Sequence, residues 1–334
     1  MFEAPWQMPL REVPSPRPAP GEVPVRVRAA GVCGSDVHGF TGSTGRRAPG
    51  VIMGHEFCGT VEAVGEGVSG PAAGERVVVQ PIISCGTCSP CRAGRPNLCL
   101  NRRGIGWSVN GGYAELVSVP EHNVLPLPDQ VSWHEGALVE PLAVALHGAN
   151  LTPLEVGDTV AVLGAGPVGL LTVLALKLRG AGHVIVSDLS PHRLELARAL
   201  GADEVIHAGE VDPVESVRRL TGGLGADAVL EVVGLTPTAR QSVQMVRSGG
   251  HVTWVGNSAP NVEVPMQEVV TREVTVRGAY AFVGEFGRAV ELLASRRVDV
   301  APLIELVAPL GDGPGLIHDL ARGTLDAVKV VLEP

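Results

Sequence analysis

Residues 160–188, VAVLGAGPVGLLTVLALKLRGAGHVIVSD, decide the fold. Val160–Leu163 is a β-branched apolar run of strand length, and Gly164-Ala-Gly-Pro-Val-Gly169 is a glycine-punctuated turn. Leu170–Leu178 is apolar and long enough for a helix, and a second apolar run, Val184–Val186, leads to Asp188. Strand, G-x-G-x-x-G turn, helix, strand and acid follow in the order of the dinucleotide-binding βαβ unit. Gly164 permits the tight turn, Gly166 lets a pyrophosphate approach the backbone, and Gly169 lets helix and strand pack closely. With Pro167 and Val168 they open the helix at whose N-terminus free N–H groups and the helix dipole favour phosphate. Asp188 stands nineteen residues past Gly169. A carboxylate there accepts from both ribose hydroxyls and repels a 2′-phosphate, which favours NAD over NADP.

A lone G-x-G-x-x-G also fits an ordinary buried αβ crossover, and a mostly apolar stretch also fits a membrane span. The flanking strands and acid count against the first reading. Internal glycines, Pro167 and Lys177 count against the second, and the segment barely reaches spanning length.

Downstream the alternation continues. Ser190-Pro191 reads as an N-cap with proline at the first helical position, and Arg193–Leu200 as the helix that follows. Strands are expected at Val205-Ile206, Ala228–Val233, His251–Val255 and Val274–Val276, with helices over Val214–Leu220 and Pro237–Arg247. Six strands with intervening helices predict an α/β doubly wound parallel sheet. Phe286–Leu293 and Leu316–Ala321 read as amphipathic helices and Val328–Leu332 as a last strand. No internal repeat or low-complexity linker appears.

The 334 residues are enough for about two domains with ample core. The chain is 45% hydrophobic and 18% charged, a globular profile, and its net charge of −9 argues against nucleic acid or an anionic membrane as partner. Met1–Val13 carries Glu3 and no apolar core, so it does not read as a signal peptide, and a cytoplasmic location is expected. The chain has two lysines, Lys177 and Lys329, against many arginines; with the Ala/Gly/Pro richness, this reads as coding bias.

The six cysteines divide into groups. Cys85, Cys88, Cys91 and Cys99 fall within fifteen residues as C-x2-C-x2-C-x7-C. Four thiolates this dense can close a tetrahedron around a structural zinc, and a Gly/Pro/Asn-rich loop with no core of its own gains order from the metal. An iron–sulfur cluster also uses C-x2-C-x2-C, but the fourth spacing does not fit ferredoxin patterns. The other candidates are dispersed. Val32-Cys-Gly-Ser-Asp-Val-His38 precedes Gly54-His-Glu-Phe-Cys-Gly59, and Cys33 and His55 read as ligands of a catalytic zinc that keeps one position open. The third ligand is Glu56 or Glu140. Asp36 is placed to orient a ligand histidine, and Cys58 reads as a small core hydrophobe. Glu140, flanked by Leu138, Val139 and Leu142 on a helix expected over Glu135–Leu146, is an unusual surface choice and favours a buried role. The Ile105–Pro120 stretch reads as strand-like, with Trp107 either lining a substrate pocket or packed as a core indole.

These motifs, with Glu140-Pro-Leu and the Gly164–Gly169 turn, occur in the order of the zinc-containing medium-chain alcohol dehydrogenases. The chain resembles that family over essentially its whole length. It is most similar to the polyol branch of sorbitol and L-iditol dehydrogenases, with threonine and butanediol dehydrogenases nearby. The resemblance implies a GroES-like, β-rich, zinc-binding catalytic domain over 1–142 and 283–334, and a Rossmann NAD-binding domain over 143–282. It implies one catalytic and one structural zinc. Cys33, His55 and Glu56 match the catalytic-zinc motif, with Glu140 at the third-ligand position, where it binds zinc directly or through water. It further implies that Ser35 bonds the substrate alcohol, that His38 hands its proton to solvent, that Arg193 stacks on adenine, and that the protein is a dimer or tetramer. The implied reaction is reversible NAD-dependent oxidation of a secondary alcohol to a ketone. A polyol, sugar alcohol, threonine or butanediol remains open as substrate, and a zinc-free enone or quinone reductase and a non-catalytic scaffold are the competing classes. Two departures stand out. The chain begins a few residues short of the family's usual first strand, and Ala281 falls where sorbitol dehydrogenases place a substrate-binding Arg, which weighs against sorbitol itself.

Overall fold

The computed structural model describes residues 1–43, 45 and 47–334 and divides into two compact units, Met1–Glu140 with Val283–Pro334, and Pro141–Phe282. The first unit opens with β1 (Glu22–Gly31), whose Val23, Val25 and Val27 are all buried. A helix, Gly34–Thr41, follows at once, and then come β2 (Glu56–Val61), β3 (Arg76–Val79), β4 (Ile82–Ile83) and β5 (Arg103–Gly104). β6 (Leu116–Pro120) and β7 (Val124–Pro126) complete the run.

Two expectations are corrected here. Residues 105–115 are not a strand: Gly111, Gly112 and Tyr113 donate their N–H groups to the carbonyls of Ile52, Gly54 and Met53, a loop-on-loop contact. The single helix expected over 135–146 is two, Trp133–Gly136 and Val139–Leu151. The first is closed by a capping box between Ser132 and Glu135. Pro141 has no N–H and fits only a helix's first turn, so the second helix restarts just before it.

The second unit carries β8 (Thr159–Leu163), β9 (His183–Asp188), β10 (Glu204–His207), β11 (Ala226–Glu231), β12 (Val246–Trp254) and β13 (Thr275–Gly278). They form one parallel sheet ordered β10-β9-β8-β11-β12-β13, the doubly wound arrangement. Helices Pro167–Leu178, Pro191–Ala199, Pro213–Leu220 and Thr236–Met245 make the crossovers. Three of them start with proline directly after the cap, where the missing N–H costs nothing. Fully buried Val160, Val162, Val184, Val186 and Leu230 fill the centre, as expected of strands covered on both faces.

The chain then returns to the first unit through helix Glu285–Ala294, β14 (Ile304–Pro309), helix Gly313–Arg322 and β15 (Lys329–Glu333). The sheet there runs β14-β15-β1-β2-β3-β7, with β6 also paired to β1. Its consequence for the site is local: β1 ends between β2 and β15, with Gly31 opposite both Glu56 and Val331. Ala281 adopts φ +52°, a left-handed conformation. No helix among the described residues is long and apolar enough to cross a membrane.

Candidate metal and nucleotide sites

In the first unit the end of β1 delivers Cys33 to the N-cap of helix Gly34–Thr41. The Ser35 N–H donates to Cys33 Sγ at 3.4 Å, and the Cys33 N–H donates to Asp36 Oδ2 at 3.3 Å. Paired β2 brings His55 and Glu56 alongside. Ligand atoms of Cys33, His55 and Glu56 all lie within 4.8 Å of one another. His55 and Glu56 are buried and Cys33 is half-buried. Glu56 owes its place to Gly31, because a Cβ there would stand 2.4 Å from Glu56 Oε2.

Charged groups brace this trio from beneath. Asp36 is fully buried, and its Oδ1 lies 3.5 Å from His55 Nδ1 and 2.9 Å from an Arg47 guanidinium nitrogen. The Tyr113 hydroxyl donates to Asp36 Oδ2 at 2.8 Å. Burial alone would raise the Asp36 carboxyl, but the charges of His55 and Arg47 and the Tyr113 hydroxyl hold it below the usual carboxylate range. Burial likewise opposes the His55 imidazolium, and Asp36 and the Cys33 sulfur outweigh it and raise its pKa. On the other side Lys329 Nζ donates to Glu56 Oε2 at 2.6 Å and to the Val32 carbonyl at 3.1 Å, with both side chains 1% exposed. One Glu56 oxygen is thus committed to a cation within the protein while the other keeps its lone pairs. Glu140, in the first turn of its helix, is pushed up to about 7 by burial and by the neighbouring negative charges of Glu56 and Asp36, against the pull of His55 and Lys329.

The donor set suits zinc: a thiol, an imidazole and a carboxylate converging in a buried spot are borderline-soft ligands in the number a catalytic site uses. With His55 neutral, as a metal ligand must be, the buried carboxylates Asp36, Glu56 and Glu140 outnumber the fixed cations Arg47 and Lys329, and a bound metal would offset that negative charge. Ser35 and His38 lie three apart on the same helix, both exposed, and burial of part of the ring lowers the His38 pKa. Trp107 packs edge-on against His55 with ring centroids 5.7 Å apart. Cys58 is buried and donates to the Trp133 carbonyl at 3.0 Å, away from the trio. Sequence reading passed over Arg47, Tyr113 and Lys329. For Lys329 a signal existed: a lysine heading the apolar run of β15 has no solvated face to occupy.

Cys85, Cys88, Cys91 and Cys99 form the second cluster, their sulfurs also within 4.8 Å of one another. Cys88 Sγ is 3.4 Å from Cys91 Sγ and 3.8 Å from Cys99 Sγ, too far for a disulfide. The sulfurs are met by backbone donors: Cys88 N–H to Cys85 Sγ at 3.4 Å, and Cys85 N–H to Cys99 Sγ at 3.3 Å. Hydrogen bonds from Thr87 and from the Cys88 backbone draw Cys85 down to about 5, while burial and sulfur neighbours push Cys91 up to about 12.

In the second unit the turn after β8 has the shape its glycines predict. Gly164 takes φ +105°, and a Cβ on Gly169 would stand 2.0 Å from the Gly164 carbonyl oxygen. Above Gly166 a Cβ would meet nothing within 4 Å, which leaves room for a ligand at the N-terminus of helix Pro167–Leu178. Asp188 is pinned at the end of β9, its two oxygens accepting from Ala165 N–H at 2.6 Å and Ser190 N–H at 2.9 Å. Each retains acceptor capacity beyond that bond. Arg193 lies in the first turn of the next helix, its N–H donating to the Ser190 hydroxyl.

Comparison with known proteins finds family matches in both units of the chain. The alcohol dehydrogenase GroES-like domain family matches residues 19–129, and the zinc-binding dehydrogenase family matches residues 167–295. A sorbitol dehydrogenase of Halalkalibacterium halodurans is 36% identical over 97% of this chain and 95% of its own. An L-threonine 3-dehydrogenase of Rhizobium johnstonii is 35% identical over 81% of this chain and 79% of its own. A Sinorhizobium meliloti structure, described as a zinc-binding dehydrogenase bound to NADP, superposes with a TM-score of 0.93 at 36% identity, covering 100% of this chain and 98% of that one. The chain belongs to the zinc-containing alcohol dehydrogenase family of oxidoreductases. Within it, the chain stands with the polyol and alcohol dehydrogenases.

Proposed function

We propose that the protein is a cytoplasmic, NAD-dependent dehydrogenase that interconverts a secondary alcohol and its ketone, with a catalytic zinc held by Cys33, His55 and Glu56. The observation that carries this reading is the buried convergence of those three donors within 4.8 Å. Zinc there would supply Lewis acidity, making the alcohol proton easier to remove, and the nicotinamide would accept hydride. The chain's own residues do the rest. Asp36, fixed by Arg47 and Tyr113, orients His55. Lys329 holds Glu56 by one oxygen and leaves the other for the metal. Glu140, beside the trio, is an alternative third ligand, directly or through water. Ser35 takes the alcohol proton as it gives up its own hydroxyl proton toward exposed His38, three residues along the helix, and His38 releases a proton to solvent.

The second zinc belongs to Cys85, Cys88, Cys91 and Cys99, where four thiols leave no open position. In this reading Met1–Glu140 with Val283–Pro334 is the catalytic unit, and Pro141–Phe282 is the cofactor unit. Gly164, Gly166, Pro167, Val168 and Gly169 take the pyrophosphate, Asp188 the adenosine ribose, and Arg193 the adenine face. Asp188 carries the choice of NAD over NADP. Its pinned carboxylate would stand against a 2′-phosphate, although the Sinorhizobium relative is described with NADP. The active form is a homodimer or homotetramer. Substrate candidates are polyols, with threonine or butanediol as the second reading, supported by the L-threonine 3-dehydrogenase relative.

The test is NADH formation by the purified protein over a panel of polyols, diols and threonine, with NADP⁺ in parallel. The expected result is turnover of one class with NAD⁺, abolished by a chelator. Turnover unaffected by metal removal, or faster with NADP⁺, would overturn the metal or the cofactor assignment respectively.

A further inference from the structure

Glu231 is a buried carboxylate that none of this chemistry uses. It ends β11 with 1% exposure. In the sheet order β10-β9-β8-β11-β12-β13 the winding reverses between β8 and β11, the place where doubly wound sheets open a ligand crevice. One lip of that crevice is the glycine turn after β8, and the other is Val232–Leu235 after β11. The two lips touch. A Cβ on Gly164 would stand 2.6 Å from Val233 Cγ2, and one on Gly169 would stand 3.1 Å from Val232 Cγ2.

Glu231 shapes the second lip from within. Its Oε1 accepts from Val233 N–H at 2.9 Å, Gly234 N–H at 2.7 Å and the Thr238 hydroxyl at 2.7 Å. Its backbone carbonyl accepts from Val255 N–H at 2.8 Å and Gly256 N–H at 3.0 Å, which ties in the turn after β12. The Ser258 hydroxyl closes the brace by donating to the Val233 carbonyl at 2.6 Å. A trans peptide holds its N–H and C=O antiparallel, so the carboxylate that takes the Val233 N–H also aims the Val232 carbonyl. Burying a carboxylate is costly, and burial does raise this one's pKa against the pull of its three donors. An apolar side chain would close a strand end without that cost. All three acceptor bonds of the side chain go to this one turn and the helix start behind it.

We propose that Glu231 is a positioning residue for the dinucleotide, fixing the Val232–Leu235 turn as the nicotinamide-side lip of the crevice. The inference rests on the reading of residues 160–188 as a dinucleotide site. It separates the two halves of the ligand. The adenosine half meets Asp188 on β9, on the other side of β8 from Glu231.

Binding of NADH and of AMP to the full chain, measured by calorimetry for wild type, Glu231→Ala, Glu231→Gln and Thr238→Val, tests it, with ligand-free thermal unfolding alongside. Losing hydrogen bonds to a charged acceptor should weaken NADH binding by about tenfold or more in Glu231→Ala and about threefold in Thr238→Val. Glu231→Gln, which keeps an acceptor oxygen, should fall closer to wild type. AMP affinity should stay unchanged in all three. Equal losses for AMP and NADH, or unchanged NADH affinity in a Glu231→Ala or Thr238→Val protein that folds, would overturn the proposal. If Glu231→Ala does not fold, Thr238→Val decides, since it removes one bond and leaves the carboxylate. Wild type that binds neither nucleotide would instead overturn the dinucleotide reading itself.

Discussion

The two cysteine-bearing sites of the first unit are built in opposite ways. The lobe of Cys85, Cys88, Cys91 and Cys99 is local: fifteen consecutive residues supply every sulfur, and the hydrogen bonds that steady them come from the same loop. The Cys33–His55–Glu56 site is assembled from separate segments, and its bracing comes from farther still: Arg47, Tyr113 and, across almost the whole chain, Lys329. The lobe has little apolar material to bury, so a bound metal would be its main source of order. The trio is held by a buried charge network before any metal arrives. One site is made by ligand spacing, the other by the fold.

Three positions test this difference between the two sites. The largest effect is expected at Lys329. Lys329→Met leaves the Glu56 carboxylate buried without its partner, and metal-free protein should lose about 3–5 kcal/mol of stability in denaturant unfolding. Adding Glu56→Gln should restore most of it, and a single variant as stable as wild type would mean that the pair does not brace the site. Next comes Tyr113→Phe, which removes one bond from Asp36 and so loosens the support of His55. Competition with a chelator should show metal held about 10–100-fold more weakly at the trio, with the cysteine lobe unaffected. Equal weakening at both sites would contradict independent bracing. The third effect is a pH dependence. Glu140 is raised from 4.5 to about 7 in the folded chain, so its contribution to stability is full below about 4.5 and lost as pH rises through about 7. Metal-free wild type should therefore lose stability across that window, and Glu140→Gln should flatten the slope. An unchanged slope would mean that Glu140 titrates normally.

The same contrast explains what could be read from the sequence. The glycine turn after β8 and the cysteine lobe were legible because their patterns lie in consecutive residues: Gly164 and Gly169 bound one six-residue turn, and the lobe is defined by thiol spacing. Cys33, His55 and Glu56 were visible as ligand types, but only the pairing of β1 with β2 brings them together. The role of Lys329 was hidden because its partner, Glu56, lies 273 residues away in sequence and across the sheet. Tyr113 was hidden by a stretch that alternates like a strand and instead folds as a loop against Ile52–Gly54. The break before Val139 was written in Pro141, whose missing N–H outweighs the helical propensity around it.

If two independent metal sites coexist and only the trio carries the chemistry, substitutions should separate them. The most direct measurement is metal content and alcohol turnover together, in wild type, Cys33→Ala and Cys91→Ser. The account predicts two zinc ions per chain in wild type, one for each donor cluster. Cys33→Ala should keep the lobe zinc and a cooperative unfolding transition but lose turnover. Cys91→Ser should lose the lobe zinc while the trio keeps its own. A Cys33→Ala protein that still binds both ions and turns over alcohol at the wild-type rate would contradict it.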